Sequence, residues 1–178
     1  MSGYDPHEWI EFGVAIAGAA AVLTGLVFVS VSINLEKVLE VHGLPGRAGE
    51  SIVMFSGVLL LTFCLLMPGQ SRVAVGVELI VGGALLAGLL VLIALPGLNR
   101  PTKQPLSWRI TRIVLALAAS VPVVVAGVSV LAERGGGLYW LAAGFALAFA
   151  AGIGNAWVLL VEVVRDERYL PVARDDAP

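Results

Sequence analysis

Charge is what this chain has least of. Of its 178 residues, 13% are charged and 58% hydrophobic, and the mean hydropathy is +0.93, whereas a soluble domain carries about 25% charged residues. The deficit excludes an ordinary soluble fold and puts the chain in the membrane class. Cysteine occurs once, as Cys64, so no intramolecular disulfide can form and no redox compartment can be read from it. The two histidines, His7 and His42, both fall outside the hydrophobic runs. That excludes a membrane-embedded haem held by imidazoles and leaves a serine–histidine dyad within the membrane without material. Zinc would need more histidine or cysteine than exists. No H-E-x-x-H, no P-loop pattern and no cysteine pair occurs. The opening MSGYDPHEWIEF lacks lysine and arginine, so it reads as a retained segment rather than a cleaved signal peptide. The expectation is a protein that is not an enzyme, holds no cofactor or metal, and binds no nucleic acid.

What is present is a series of long apolar runs. Phe12–Ile33 is 22 residues without a charge, which at about 1.5 Å per residue covers a ~30 Å hydrocarbon core. Four further runs follow, giving expected spans at 12–33, 51–68, 73–95, 108–132 and 138–164 in one domain, 1–166, with a short tail at 167–178. Asn34–Glu40 should extend the first helix into water and stop near Gly43 and Pro45. The second span has a short apolar core, Ile52–Met67, and ends at Pro68-Gly69, so it forms a tight hairpin with the third, which ends at Pro96-Gly97. Asn99–Trp108 is the longest polar connection, with Ser107 a plausible N-cap for the fourth span. Pro122 is expected to kink that span. Tyr4, Trp9, Tyr139 and Trp140 suit a membrane interface.

The polar residues inside these runs are the candidate functional groups. Glu11, Gly18, Gly25 and Ser32 recur every seven residues, with Ala21 and Glu36 close to the same face. Small residues on such a stripe let helix backbones approach closely. The stripe reads as a packing seam within one subunit, or alternatively as a pore-lining or subunit-contacting face with Glu11 and Glu36 at its mouths. Glu78 is followed by 21 uncharged residues, and a carboxylate at that depth costs a few kcal/mol unless paired, hydrated or protonated; the competing reading is that it reaches the headgroups or pairs with Arg72. Gly83 and Ala87 form a small-xxx-small contact pair. In the last span, Ala148, Asn155 and Glu162 lie seven apart with Ala151 and Gly152 beside them. Asn155 should seek a partner on the first span, at Ser30, Ser32 or Asn34.

Five spans put the ends of the chain on opposite sides. The segments sharing a side with the N-terminus carry only Arg72 and Arg134, while the other side carries Lys37, Arg47, Arg100, Lys103, Arg109, Arg112, Arg165, Arg168 and Arg174. That asymmetry predicts an external N-terminus and a cytoplasmic C-terminus in the inner (plasma) membrane. The stretch GLVFVSVSINLEKVLE and the later MPGQ turn resemble those of small uncharacterised bacterial multi-pass membrane proteins; the resemblance covers most of the chain and implies no activity. The expected fold is therefore an all-α bundle of five transmembrane helices. Its expected function is that of an accessory, regulatory or scaffold subunit acting through contacts with itself or another membrane protein. The alternative is a homo-oligomeric cation channel lined by the first helix, since glutamate rings select cations.

Overall fold

The computed structural model describes residues 3–40, 43–95 and 106–167, apart from the side chains of 106, 108 and 162–167. Among these the chain is helical, with no strand. A 3-10 turn, Pro6–Trp9, leads into α1 (Ile10–Ile33), followed by α2 (Leu35–Glu40), α3 (Leu44–Leu66), α4 (Arg72–Ala94), α5 (Leu106–Ala132) and α6 (Tyr139–Glu167). Five helices, α1 and α3 to α6, are long and apolar enough to cross a membrane. The architecture is that of a multi-pass membrane protein.

Helix boundaries follow local chemistry. Asp5 caps the first turn by accepting a hydrogen bond from the His7 backbone N–H at 3.0 Å, and Pro6 sits where no N–H is needed. The second span begins at Leu44, seven residues before the start expected at 51. Gly43 adopts a left-handed conformation (φ 93°) and Pro45 occupies the first turn, a position that tolerates proline because its N–H would be unpaired anyway. Glu50 and Arg47 consequently lie inside α3 rather than before it. Ser71 caps α4 by accepting from the Ala74 N–H at 3.1 Å. Ser107 is not an N-cap: α5 already includes it, and its carbonyl accepts from the Thr111 hydroxyl. Helix α5 runs through Pro122 without interruption. His42, Pro96-Gly97, most of the Asn99–Trp108 connection and the tail from 168 lie outside the described residues.

Helices α3, α4, α5 and α6 form a ring in which each packs on the next and α6 closes on α3, with the closest association between α4 and α5. Lipid offers no hydrophobic drive for association, so close backbone contact must supply it. Gly76 and Gly127 provide this: a Cβ on Gly127 would lie 2.5 Å from the Gly76 carbonyl oxygen and 2.8 Å from the Ile80 side chain. Val75, Leu79, Phe145, Val123 and Val130 fill the interior.

Helix α1 stands outside this ring. It packs on α3 through Gly13, Ala20 and Val27, a heptad two positions later than the stripe expected from sequence. An apolar groove of about 310 Å³ separates it from α6, with Phe55 among its walls. The start of the chain is stapled to the α5–α6 turn. Leu138 N–H donates to the Gly3 carbonyl at 2.7 Å, and Gly136 N–H donates to the Tyr4 hydroxyl at 3.2 Å. Trp9 is buried here, edge-on to Phe12 and Tyr139, rather than facing an interface; Tyr139 and Trp140 are exposed.

Candidate functional site: a buried ion pair and a shielded carboxylate

Glu50 directly precedes the span expected at 51–68. In the folded chain it is 2% exposed. Helix α3 carries it two turns inside the bundle, where α5 presents Arg112. The guanidinium holds one carboxylate oxygen twice, Nε at 2.8 Å and Nη2 at 2.7 Å. Asn155 of α6 donates its side-chain amide to the other oxygen at 3.2 Å. Arg112 reaches a third helix as well, its Nη2 donating to the Ile93 carbonyl of α4 at 3.4 Å. Gly46 makes room for this guanidinium: a Cβ there would lie 2.9 Å from Nη2. One residue on, the buried Ser51 hydroxyl donates to the Gly152 carbonyl at 3.1 Å.

The cluster therefore ties all four ring helices together at one level. Burying two charges costs several kcal/mol per ion, offset only when both are paired and hydrogen-bonded. Here each carboxylate oxygen has a donor and the guanidinium has two acceptors, so the centre is electrically neutral and internally satisfied. Such an arrangement fixes helix register; with its charges cancelled, it leaves no free carboxylate for a passing cation. The partner proposed for Asn155 on the first span is thus corrected. Asn34 instead donates back to the Ser30 carbonyl of its own helix at 3.0 Å, and the Ser32 hydroxyl to Phe28 at 2.8 Å.

Glu78 lies at the opposite end of the bundle, on α4 and half-buried. Its partner is Gln70, whose amide nitrogen is 2.8 Å from both carboxylate oxygens. Cys64 of α3 also lies against it. Arg72, the cation offered by the sequence, pairs instead with Glu133 of the α5–α6 turn at 2.6 Å, both side chains well exposed. The Gln70 carbonyl oxygen is buried with no partner. Glu78 is thus shielded by an amide, not neutralised by an arginine.

The first-span stripe does not line the interior. Glu11, Gly18, Ala21, Gly25, Ser32 and Glu36 are all exposed, and a Cβ added at Gly18 or Gly25 would meet nothing within 4 Å. Gly83 and Gly152 do sit at packed positions, against Val123 and Val124 of α5 and Phe55 of α3 respectively, while Ala87 is half-buried. The Glu162 side chain lies outside the described residues. Among those described, no three histidine, cysteine or acidic side chains converge on a common point that could hold a metal.

Compared with protein-family models, curated proteins and solved structures, the chain matches none.

Proposed function

We propose that the chain is a non-enzymatic integral membrane subunit of the bacterial plasma membrane that acts as an accessory or scaffold component, presenting α1 to a transmembrane helix of another protein. The single observation that carries this reading is the exposed α1 face. Gly18 and Gly25 have open space above them, on a helix that has only its opposite side packed on α3. Small residues at seven-residue spacing favour close, left-handed helix crossing. The charged ends of the face identify the kind of partner. Glu11 and Glu36 bracket it, so a second copy of α1, parallel or antiparallel, would set carboxylate against carboxylate at both ends. A partner helix with small residues at its centre and basic residues at its ends is complementary. The orientation follows from the nine-to-two distribution of lysine and arginine, with the N-terminus outside and the C-terminus cytoplasmic.

A homo-oligomeric cation channel is the second reading, favoured by the same exposure of Glu11 and Glu36 should several copies surround a common axis. The mass and stoichiometry of the protein extracted from its native membrane into nanodiscs separate the two, read for the natural chain and for Gly25→Leu. The accessory reading expects one stoichiometric second polypeptide, lost in Gly25→Leu. A ring of four or more identical chains would transfer the assignment to a channel, and a monomer in both samples would overturn both readings.

A further inference from the structure

The α3–α4 turn brings the chain's single cysteine and a methionine to a carboxylate that no arginine neutralises. Cys64 lies in the last turn of α3, and Met67 ends that helix with an extended backbone (ψ 128°). Gly69 then adopts a left-handed φ of 70°. This reverses the chain and folds Gln70 back onto Glu78, in the second turn of α4. The Gln70 amide nitrogen stands at the centre of the group. It lies 2.8 Å from both Glu78 oxygens and 3.6 Å from Met67 Sδ, and Cys64 lies against the same carboxylate. Two N–H bonds thus face three acceptors. The Gln70 carbonyl oxygen has no partner among the described residues, so the amide is held by its nitrogen alone.

We propose that Cys64, Met67 and Glu78 form a binding site for a soft monovalent metal ion, Cu(I), which takes the place of the Gln70 amide nitrogen. The donor set decides the class of metal. Thiolate and thioether sulfur select Cu(I). Calcium requires six to eight oxygens, and zinc is held by thiolate, imidazole and carboxylate rather than by thioether. Charge favours a cation here, because Arg72 is committed to Glu133 and leaves Glu78 with an amide only. Met67 is 49% exposed, which opens an entry path, and its unbranched side chain adapts readily, so it can close on the ion. Binding exchanges one proton for one metal ion: the Cys64 S–H bond breaks, an S–Cu bond forms, and the proton leaves to solvent. The net charge of the cluster is unchanged. The amide that moves aside forfeits only the contacts of its nitrogen, since its carbonyl oxygen has none to lose.

The test is competition of the purified, reduced full chain in detergent micelles against a chromogenic Cu(I) chelator, with zinc and calcium ions as competitors. One Cu(I) should bind per chain and resist displacement by either divalent ion. Any lone thiol binds Cu(I), so the other two ligands carry the decision. Loss even of groups that only orient a ligand costs about 10–100-fold in metal affinity, so Met67→Leu and Glu78→Gln should each weaken binding by about ten-fold or more. Met67→Leu conserves volume at an exposed position and should leave the thermal midpoint of the metal-free protein unchanged. Gln70→Ala removes the competing amide and should strengthen binding by about two- to ten-fold, the worth of the hydrogen bonding displaced. Damage to the fold would act in the opposite direction. X-ray absorption at the copper edge should find two sulfur neighbours in the natural chain and one in Met67→Leu. Unchanged affinity in Met67→Leu, weaker binding in Gln70→Ala, or a single sulfur neighbour in the natural chain would each overturn the assignment and leave Cys64 an isolated thiol.

Discussion

Substituting Arg112 by methionine isolates the energetics of the buried cluster. The change keeps the length of the aliphatic stem and removes both donors to one oxygen of Glu50, at 2.8 and 2.7 Å, leaving the carboxylate with Asn155 alone at 3.2 Å. A buried charge stripped of its partner costs about 3–5 kcal/mol, a large share of a total stability of about 5–15 kcal/mol. Glu50→Leu should cost a similar amount by leaving Arg112 uncompensated. The double variant has no stranded charge. It retains only the penalty of Asn155 without its acceptor, about 1–3 kcal/mol. The pair should therefore be strongly non-additive, with the double variant more stable than either single one. Equilibrium unfolding in mixed micelles, followed by circular dichroism, gives the four stabilities of the cycle. Additive losses, or a cost below about 1 kcal/mol for Arg112→Met, would refute a neutral, structure-fixing ion pair and mean that water or a counter-ion reaches Glu50.

Other positions give sharper contrasts in the same assay. Gly127→Ala forces a methyl group to within 2.5 Å of the Gly76 carbonyl and should lose about 1–3 kcal/mol through separation of α4 and α5, whereas Gly18→Ala should leave the isolated chain unaffected and weaken only its assembly. Gln70→Ala removes the donor to Glu78 and should cost about 1.5–3 kcal/mol, the range for hydrogen bonds to charged groups; Glu78→Gln should cost less, and any change it causes in ion flux would point to the channel reading. Glu133→Gln breaks only an exposed pair and should change stability by less than about 1 kcal/mol.

The number and order of the spans were legible in the sequence because twenty uncharged residues can do little else in a chain this apolar. The side each helix buries was not. Helix α1 is hydrophobic all round, so neither polarity nor period distinguishes Gly13, Ala20 and Val27, which pack, from Gly18 and Gly25, which do not. A stripe of small residues marks a surface able to pack, and the bundle had another heptad of small side chains to use. The burial of Glu50 was not legible for a related reason. A charge at the margin of an apolar run looks like its end, and only Leu44-Pro45, a helix-start signal, hinted that α3 began earlier. Once Glu50 is inside a helix, the buried Asn155 and an arginine nearly two turns into α5 become its natural partners. Glu78 was identified from its depth, but its partner depended on the turn: Gln70 is directed onto it while Arg72, two residues later, meets Glu133.

The central claim is that the outer face of α1 is covered in the native membrane by another protein. Photo-crosslinking from an unnatural residue placed at Gly25 tests it most directly, with Gly88 as control, since an added Cβ meets nothing within 4 Å at either site. A protein adduct of defined mass from position 25, absent from position 88 and abolished by Gly18→Leu, is the predicted result. Lipid adducts alone from both positions would contradict it and leave α1 as an ordinary lipid-facing helix.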